Sequence, residues 1–144
     1  SMAGSRYVLT EFSASTEEKY IRDRIYELLS SGYKPIVAHI ERYKCMKDIE
    51  LVEYLVNKGA YMQVNADSVI GKNGHGVKKY CGKLLEDELV QFIGSDCHGS
   101  KRRVTRIGDA YAYVSKKFGR QAADEIFIDN PQEILDNAKH CLSL

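Results

Sequence analysis

The strongest constraint on this chain is the order in which two hydrophobic periods take turns along it. From Arg6 onward, short apolar runs of strand length are each followed by a stretch whose apolar residues recur at helical spacing, with no low-complexity tract, Pro-rich linker or repeat between them. Tyr7-Val8-Leu9-Thr10-Glu11-Phe12 reads as a strand. Ser15-Thr16-Glu17-Glu18 reads as an S-x-x-E capping box opening a helix. One face of that helix carries Tyr20, Ile21, Ile25, Leu28 and Leu29, and Gly32 supplies its left-handed stop. Pro35 to His39 makes a second strand, and the helix after it carries Ile49, Val52, Leu55 and Val56 and ends at Gly59. A third strand spans 60–64, a helix 77–85 and a fourth strand 89–93. Helices follow over about 105–118, 120–127 and beyond the Asn130-Pro131 stop-and-start signal. Strands alternating with helices imply an α/β fold of parallel strands joined by right-handed crossovers. In such sheets chemistry collects at the C-terminal ends of the strands.

Composition narrows the function classes. A chain of 144 residues is about one domain, and 21 basic against 20 acidic side chains leave a net charge of +1. So balanced a chain has no long-range field to draw nucleic acid or an anionic membrane, and its apolar runs fall short of the ~20 residues a spanning helix needs. Neither nucleic-acid binding nor membrane insertion is expected. The four cysteines form no C-x-x-C pair, which suits free thiols in a reducing, cytoplasmic setting. Ser1 to Ser5 lacks the charge and apolar core of a signal peptide and reads as an appended stretch, so the domain is expected over 6–144.

The strand ends carry the chemistry. Their last or next residues are Glu11, His39, Asn65, and then Asp96 with His98. Carboxylate oxygen and imidazole nitrogen are ligand types for Mn, Fe, Zn or Co, and parallel topology brings them to one face. Each group alone could be a cap acceptor or a surface residue. Glu11 and His39, however, interrupt apolar strands, where an unpaired polar group is costly. Arg42 follows His39 closely and Arg103 follows His98, and guanidinium forks bind phosphate bidentately, which points to a phosphate ester. Either arginine could instead be a surface residue or an ion-pair partner, Arg42 of Glu41 for instance.

Cys97 and Arg103 also fit the C-x5-R spacing of thiolate phosphatases. Asp96 beside the thiol would raise its pKa, and Val104 stands where a hydroxyl is expected. The remaining cysteines read as small buried hydrophobes. His75 and His140 read as solvated residues, Lys101-Arg102 as a solvated basic loop, and Tyr20, Tyr54 and Tyr111 as core.

The segments Tyr7 to Phe12, Gly32 to Tyr43, Gln63 to Ser68 and Ser95 to His98 resemble the polymerase-and-histidinol-phosphatase (PHP) superfamily. More narrowly they are similar to the bacterial manganese-dependent protein-tyrosine phosphatases of capsular and exopolysaccharide operons. The resemblance runs over nearly the whole chain. It implies the C-terminal part of a distorted (β/α)7 barrel with a metal cluster at the mouth of the strands. By matching position Glu11, His39, Asp96 and His98 would be metal ligands, and Arg42 and Arg103 would contact phosphate. The implied substrate is the phosphotyrosine tail of a bacterial tyrosine autokinase, hydrolysed to regulate polysaccharide synthesis. Ile40 replaces the proline usual after the histidine, and the family's opening strand with its His-x-His ligands is not in this sequence. A chain without its first strands is expected to lack half the ligands, to have reduced or no activity alone, and to self-associate through an open edge. Two other readings stay open: a PHP phosphoesterase acting on histidinol phosphate or another small ester, and a non-catalytic oligomerising fragment.

Overall fold

The computed structural model describes residues 1–95 and 104–143. Four strands, β1 (Tyr7–Thr10), β2 (Lys34–Val37), β3 (Tyr61–Asn65) and β4 (Phe92–Gly94), lie side by side in chain order and are all parallel. The connections are α1 (Glu18–Ser30), α2 (Ile49–Asn57), the short α3 (Ala66–Val69) and α4 (His75–Glu86). After the undescribed segment come α5 (Val104–Phe118), α6 (Arg120–Asp124) and α7 (Asn130–Leu142).

The pairing register assigns the faces. Leu9 pairs with Ile36, Ile36 with Tyr61 and Gln63 with Phe92, so these side chains share one face. Val37, Met62 and Val64 fall on the other and pack in the main core with Ile21 and Ile25 of α1 and Leu51 and Leu55 of α2. All seven are at most 1% exposed, and burying each aliphatic side chain is worth about 1.5–3 kcal/mol. The first face has a smaller core of Tyr7, Ile36 and Phe92 under Ile134 of α7. Helix α7 thus covers the start of the strands, whereas Leu9, further along the same face, is 42% exposed. Gln63 also lies on this face, and its Nε2 would stand only 2.1 Å from a Cβ at Gly94, a position open to glycine alone while that carboxamide lies there.

Helix ends show where local signals hold. Gly32, at φ 81°, closes α1 as expected, with Tyr33 N–H donating to Leu28 O and Gly32 N–H to Leu29 O. Asp48 caps α2 through the amide of Glu50 at 3.0 Å. The expected capping box does not form. Thr16 Oγ1 accepts the amide of Ser13 at 3.1 Å, so that hydroxyl closes a preceding turn and α1 starts at Glu18 behind Glu17, which makes no side-chain cap.

Other expectations shift. The first strand stops at Thr10 and the fourth begins only at Phe92: Gln91 donates its backbone amide to Met62 O at 3.0 Å, but it is its side-chain oxygen, not its carbonyl, that accepts the Met62 amide, at 2.8 Å. Asn130-Pro131 does not break the chain: a π-helical turn (Glu125–Asp129) leads straight into α7, with Pro131 in its first turn where no amide is needed. Tyr20 and Tyr54, expected in the core, are 61% and 42% exposed, and Tyr54 instead lies under the Arg22 guanidinium, 4.1 Å from the ring centroid.

The opening residues are part of the packing. Met2 N–H donates to Tyr7 O at 2.8 Å, the Ser5 hydroxyl donates to Met2 O and accepts the Tyr7 amide, and Met2 packs on the smaller core. Among the described residues no helix is long and apolar enough to cross a membrane.

Candidate metal centre

The parallel sheet delivers Glu11, His39 and Asn65 to one end, each at or just beyond the last residue of its strand. Ser95 follows β4 there, leading to Asp96 and His98, which together with Cys97 and Arg103 lie outside the described residues. Glu11 and His39 are brought together. His39 Nε2 stands 3.8 Å from Glu11 Oε1, with the imidazole 14% and the carboxylate 63% exposed. That separation exceeds a hydrogen bond. His39 Nδ1 is buried and has no hydrogen-bond partner. An imidazole held beside a carboxylate, with a nitrogen left open, is a donor set that fits a divalent cation better than a settled core histidine. Among the described residues no group of three or more His, Cys, Asp or Glu side chains gathers as a metal site.

The backbone at His39 is unusual. Its φ of 40° and ψ of 52° are left-handed, a conformation that costs an L-residue roughly 1–2 kcal/mol and that collects at functional sites. A 3-10 turn, Ile40–Arg42, follows at once, closed by Arg42 N–H donating to His39 O at 3.0 Å. Arg42 itself is exposed at the same end of the sheet.

Two residues not singled out as site residues from the sequence complete the surroundings. Glu41 Oε1 accepts the Asn65 amide at 2.9 Å and the Ser68 hydroxyl at 2.8 Å, while its Oε2 is buried without a partner. Tyr43, 1% exposed, accepts the Phe12 amide on its hydroxyl at 3.0 Å and sets its ring 5.5 Å from that of His39 at 65°. Burial raises the Tyr43 phenol above its usual range. The signal available in the sequence was an acid and a tyrosine on the same short turn as the histidine and arginine. Beyond β3, Asp67 Oδ2 pairs with Arg106 at 2.5 Å and so ties the start of α5 to the site end of the sheet.

Cys81 and Cys45 are poor nucleophiles. Burial, with a smaller contribution from the Glu41 charge, pushes Cys81 up to about 12, and burial raises Cys45. His75 is exposed at the start of α4, and His140 is exposed on α7.

The parallel sheet, with carboxylate, imidazole and guanidinium groups at the C-terminal ends of its strands, places the chain in the class of parallel α/β proteins whose functional groups gather at that end of the sheet. Within that class the chain belongs to the CpsB/CapC family of capsular polysaccharide synthesis, whose profile matches residues 1–136. It is 36% identical over 137 residues to tyrosine-protein phosphatase CpsB of Streptococcus pneumoniae, covering 91% of this chain and 56% of that protein. It is 32% identical over 122 residues to tyrosine-protein phosphatase YwqE of Bacillus subtilis, covering 84% and 48%. A solved structure described as belonging to YwqE from Bacillus subtilis and CpsB from Streptococcus pneumoniae, "unique metal-dependent tyrosine phosphatases", superposes with a TM-score of 0.72 at 30% identity. The match covers 96% of this chain and 53% of that one. The chain therefore spans about half the length of the curated relatives it matches.

Proposed function

We propose that the protein carrying this chain is a metal-dependent protein-tyrosine phosphatase of capsule or exopolysaccharide synthesis. The observation that carries the proposal is the His39–Glu11 pair: a strained, part-buried imidazole 3.8 Å from a carboxylate at the C-terminal edge of a parallel sheet, in a chain of the CpsB/CapC family. In this reading the sheet is part of a distorted (β/α)7 barrel, and Glu11, His39, Asp96 and His98 hold divalent cations, Mn above Fe, Zn or Co. Such a cation supplies Lewis acidity and lowers the pKa of bound water. The chain's own groups do the rest. Glu11 and His39 fix the position of the charge, and Arg42 and Arg103 offer planar N–H forks to the phosphoryl oxygens, stabilising the negative charge that grows on them. No thiol takes part. The substrate is the phosphotyrosine tail of a bacterial tyrosine autokinase, met by the phosphatase in the cytoplasm.

Hydrolysis of a phosphotyrosine peptide by the full-length protein should be lost on chelation and restored by Mn(II). It should be abolished by His39→Ala and unchanged by Cys97→Ser. Activity that survives chelation and disappears in Cys97→Ser would mean a thiolate enzyme. A higher kcat/KM for histidinol phosphate than for the peptide would move the protein to the small-ester phosphatases.

A further inference from the structure

We infer that Glu41 and Tyr43 are positioning residues, which reach from one 3-10 turn to the ends of both neighbouring strands and hold His39 in its left-handed backbone beside Glu11. What the centre does rests on the phosphatase reading above; the brace itself does not. The turn lies between β2 and α2, and its two side chains diverge. Tyr43 reaches toward β1, where its hydroxyl accepts the amide of Phe12, the residue directly after Glu11. Glu41 reaches toward β3, where Oε1 accepts both the backbone amide of Asn65 and the hydroxyl of Ser68. Ser68 in turn accepts from Asn73 Nδ2 at 2.9 Å, which extends the tie into the loop before α4.

The need for such a brace comes from the backbone. A histidine at φ 40° relaxes out of that well unless the groups on either side are fixed. Upstream, Ala38 N–H donates to Thr10 O at 3.0 Å and pins the end of β2 to β1. Downstream, the turn's own bonds are short-range, Arg42 to His39 and Tyr43 to Ile40, and fix its curl but not its place over the sheet. Long-range ties come from the side chains of Glu41 and Tyr43, beside one backbone bond just past the turn, Lys44 N–H to Ala14 O at 3.0 Å, which holds the loop behind β1. The Tyr43 ring also stands edge-on to both His39 and Phe12, at 5.5 and 5.9 Å, and so walls the imidazole on the side away from solvent. Tyr43 thereby sets the spacing between Glu11 and His39, and Glu41 sets that between His39 and the end of β3. Neither is catalytic; each acts through the ligand beside it.

The test uses the full-length protein with Tyr43→Phe, Glu41→Ala and Glu41→Gln. Tyr111→Phe, which loses a hydrogen bond to Asp124 remote from the sheet, serves as a stability control. Two readouts are taken well below each melting temperature: the Kd for Mn(II) alone, and the NMR signals of the His39 ring in metal-free protein. Tyr43→Phe and Glu41→Ala should weaken Mn(II) by about tenfold or more and shift or split the ring signals. Glu41→Gln keeps an acceptor oxygen and should stay within about threefold of the parent. Tyr111→Phe should change neither readout. Parent-like Kd and ring signals in Tyr43→Phe and Glu41→Gln together with Glu41→Ala overturn the brace, as does an equal change in Tyr111→Phe at matched loss of melting temperature. Should Glu41→Ala fail to fold, Tyr43→Phe decides alone. If the parent protein binds no Mn(II), the phosphatase reading falls, and the ring signals of the metal-free variants still decide the brace.

Discussion

At the scale of single residues, His39 combines two demands that pull apart: a ring chemistry suited to a metal and a backbone conformation suited to glycine or asparagine. A substitution series separates them. His39→Asn removes the imidazole but tolerates the left-handed well, whereas His39→Val places a β-branched residue there. The valine protein should unfold more easily than the asparagine protein by roughly 1–2 kcal/mol in urea titrations, although valine is the more apolar of the two. Equal stabilities would mean that the turn relaxes and that the conformation is not imposed. Residue types at strand ends were legible in the sequence, because Glu11 and His39 interrupt apolar runs. The left-handed backbone and the roles of Glu41 and Tyr43 were not, since they depend on Phe12, Asn65 and Ser68, which only the folded sheet brings near.

Among the elements, α7 shows how a terminal helix is fastened. The Tyr7 hydroxyl donates to Glu133 at 2.7 Å, Lys34 lies 3.4 Å from the same carboxylate, and the Arg6 amide donates to Asn137 at 2.9 Å. Burial and then the Glu133 bond push the Tyr7 phenol well above its ordinary 10.0, burial does the same for Tyr80, and Cys81 rises from 9.0 to about 12. All three hold their protons more tightly folded than unfolded. Their contribution to stability is therefore complete below about pH 9, where the unfolded chain also keeps these protons. Above that it falls, by up to about 1.4 kcal/mol per pH unit for each group still protonated only in the fold. Urea midpoints measured under reductant from about neutral to about pH 10.5 should drop, and Tyr7→Phe should flatten the part above about pH 10. A level profile would show that these groups ionise freely in the fold. The order of strands and helices was legible from alternating periodicity, and so was the Gly32 stop. What failed was the capping box: Ser15 was the expected cap with Glu18 as its partner, whereas Thr16 turns back to the amide and hydroxyl of Ser13 and α1 starts only at Glu18.

For the molecule as a whole, β1 is an edge of the described sheet, paired only with β2, and Leu9 on it is 42% exposed beside a groove of ≈ 340 Å³ that includes Phe12, Tyr20 and Leu28. A parallel edge bearing an exposed leucine is a template for another strand. The 144-residue chain should self-associate with rising concentration, and Leu9→Lys should weaken that by about tenfold in sedimentation velocity while leaving the helical signal intact. A parent chain that stays monomeric throughout would remove the edge as a docking surface. At the opposite side of the sheet, the bare α-carbon of Gly94 has an effect out of proportion to its size. Because Gln63 Nε2 occupies the space where a methyl would stand, the carboxamide of one strand sits against the last residue of the next. A side chain at position 94 would push that carboxamide away, so a change on β4 is felt first on β3.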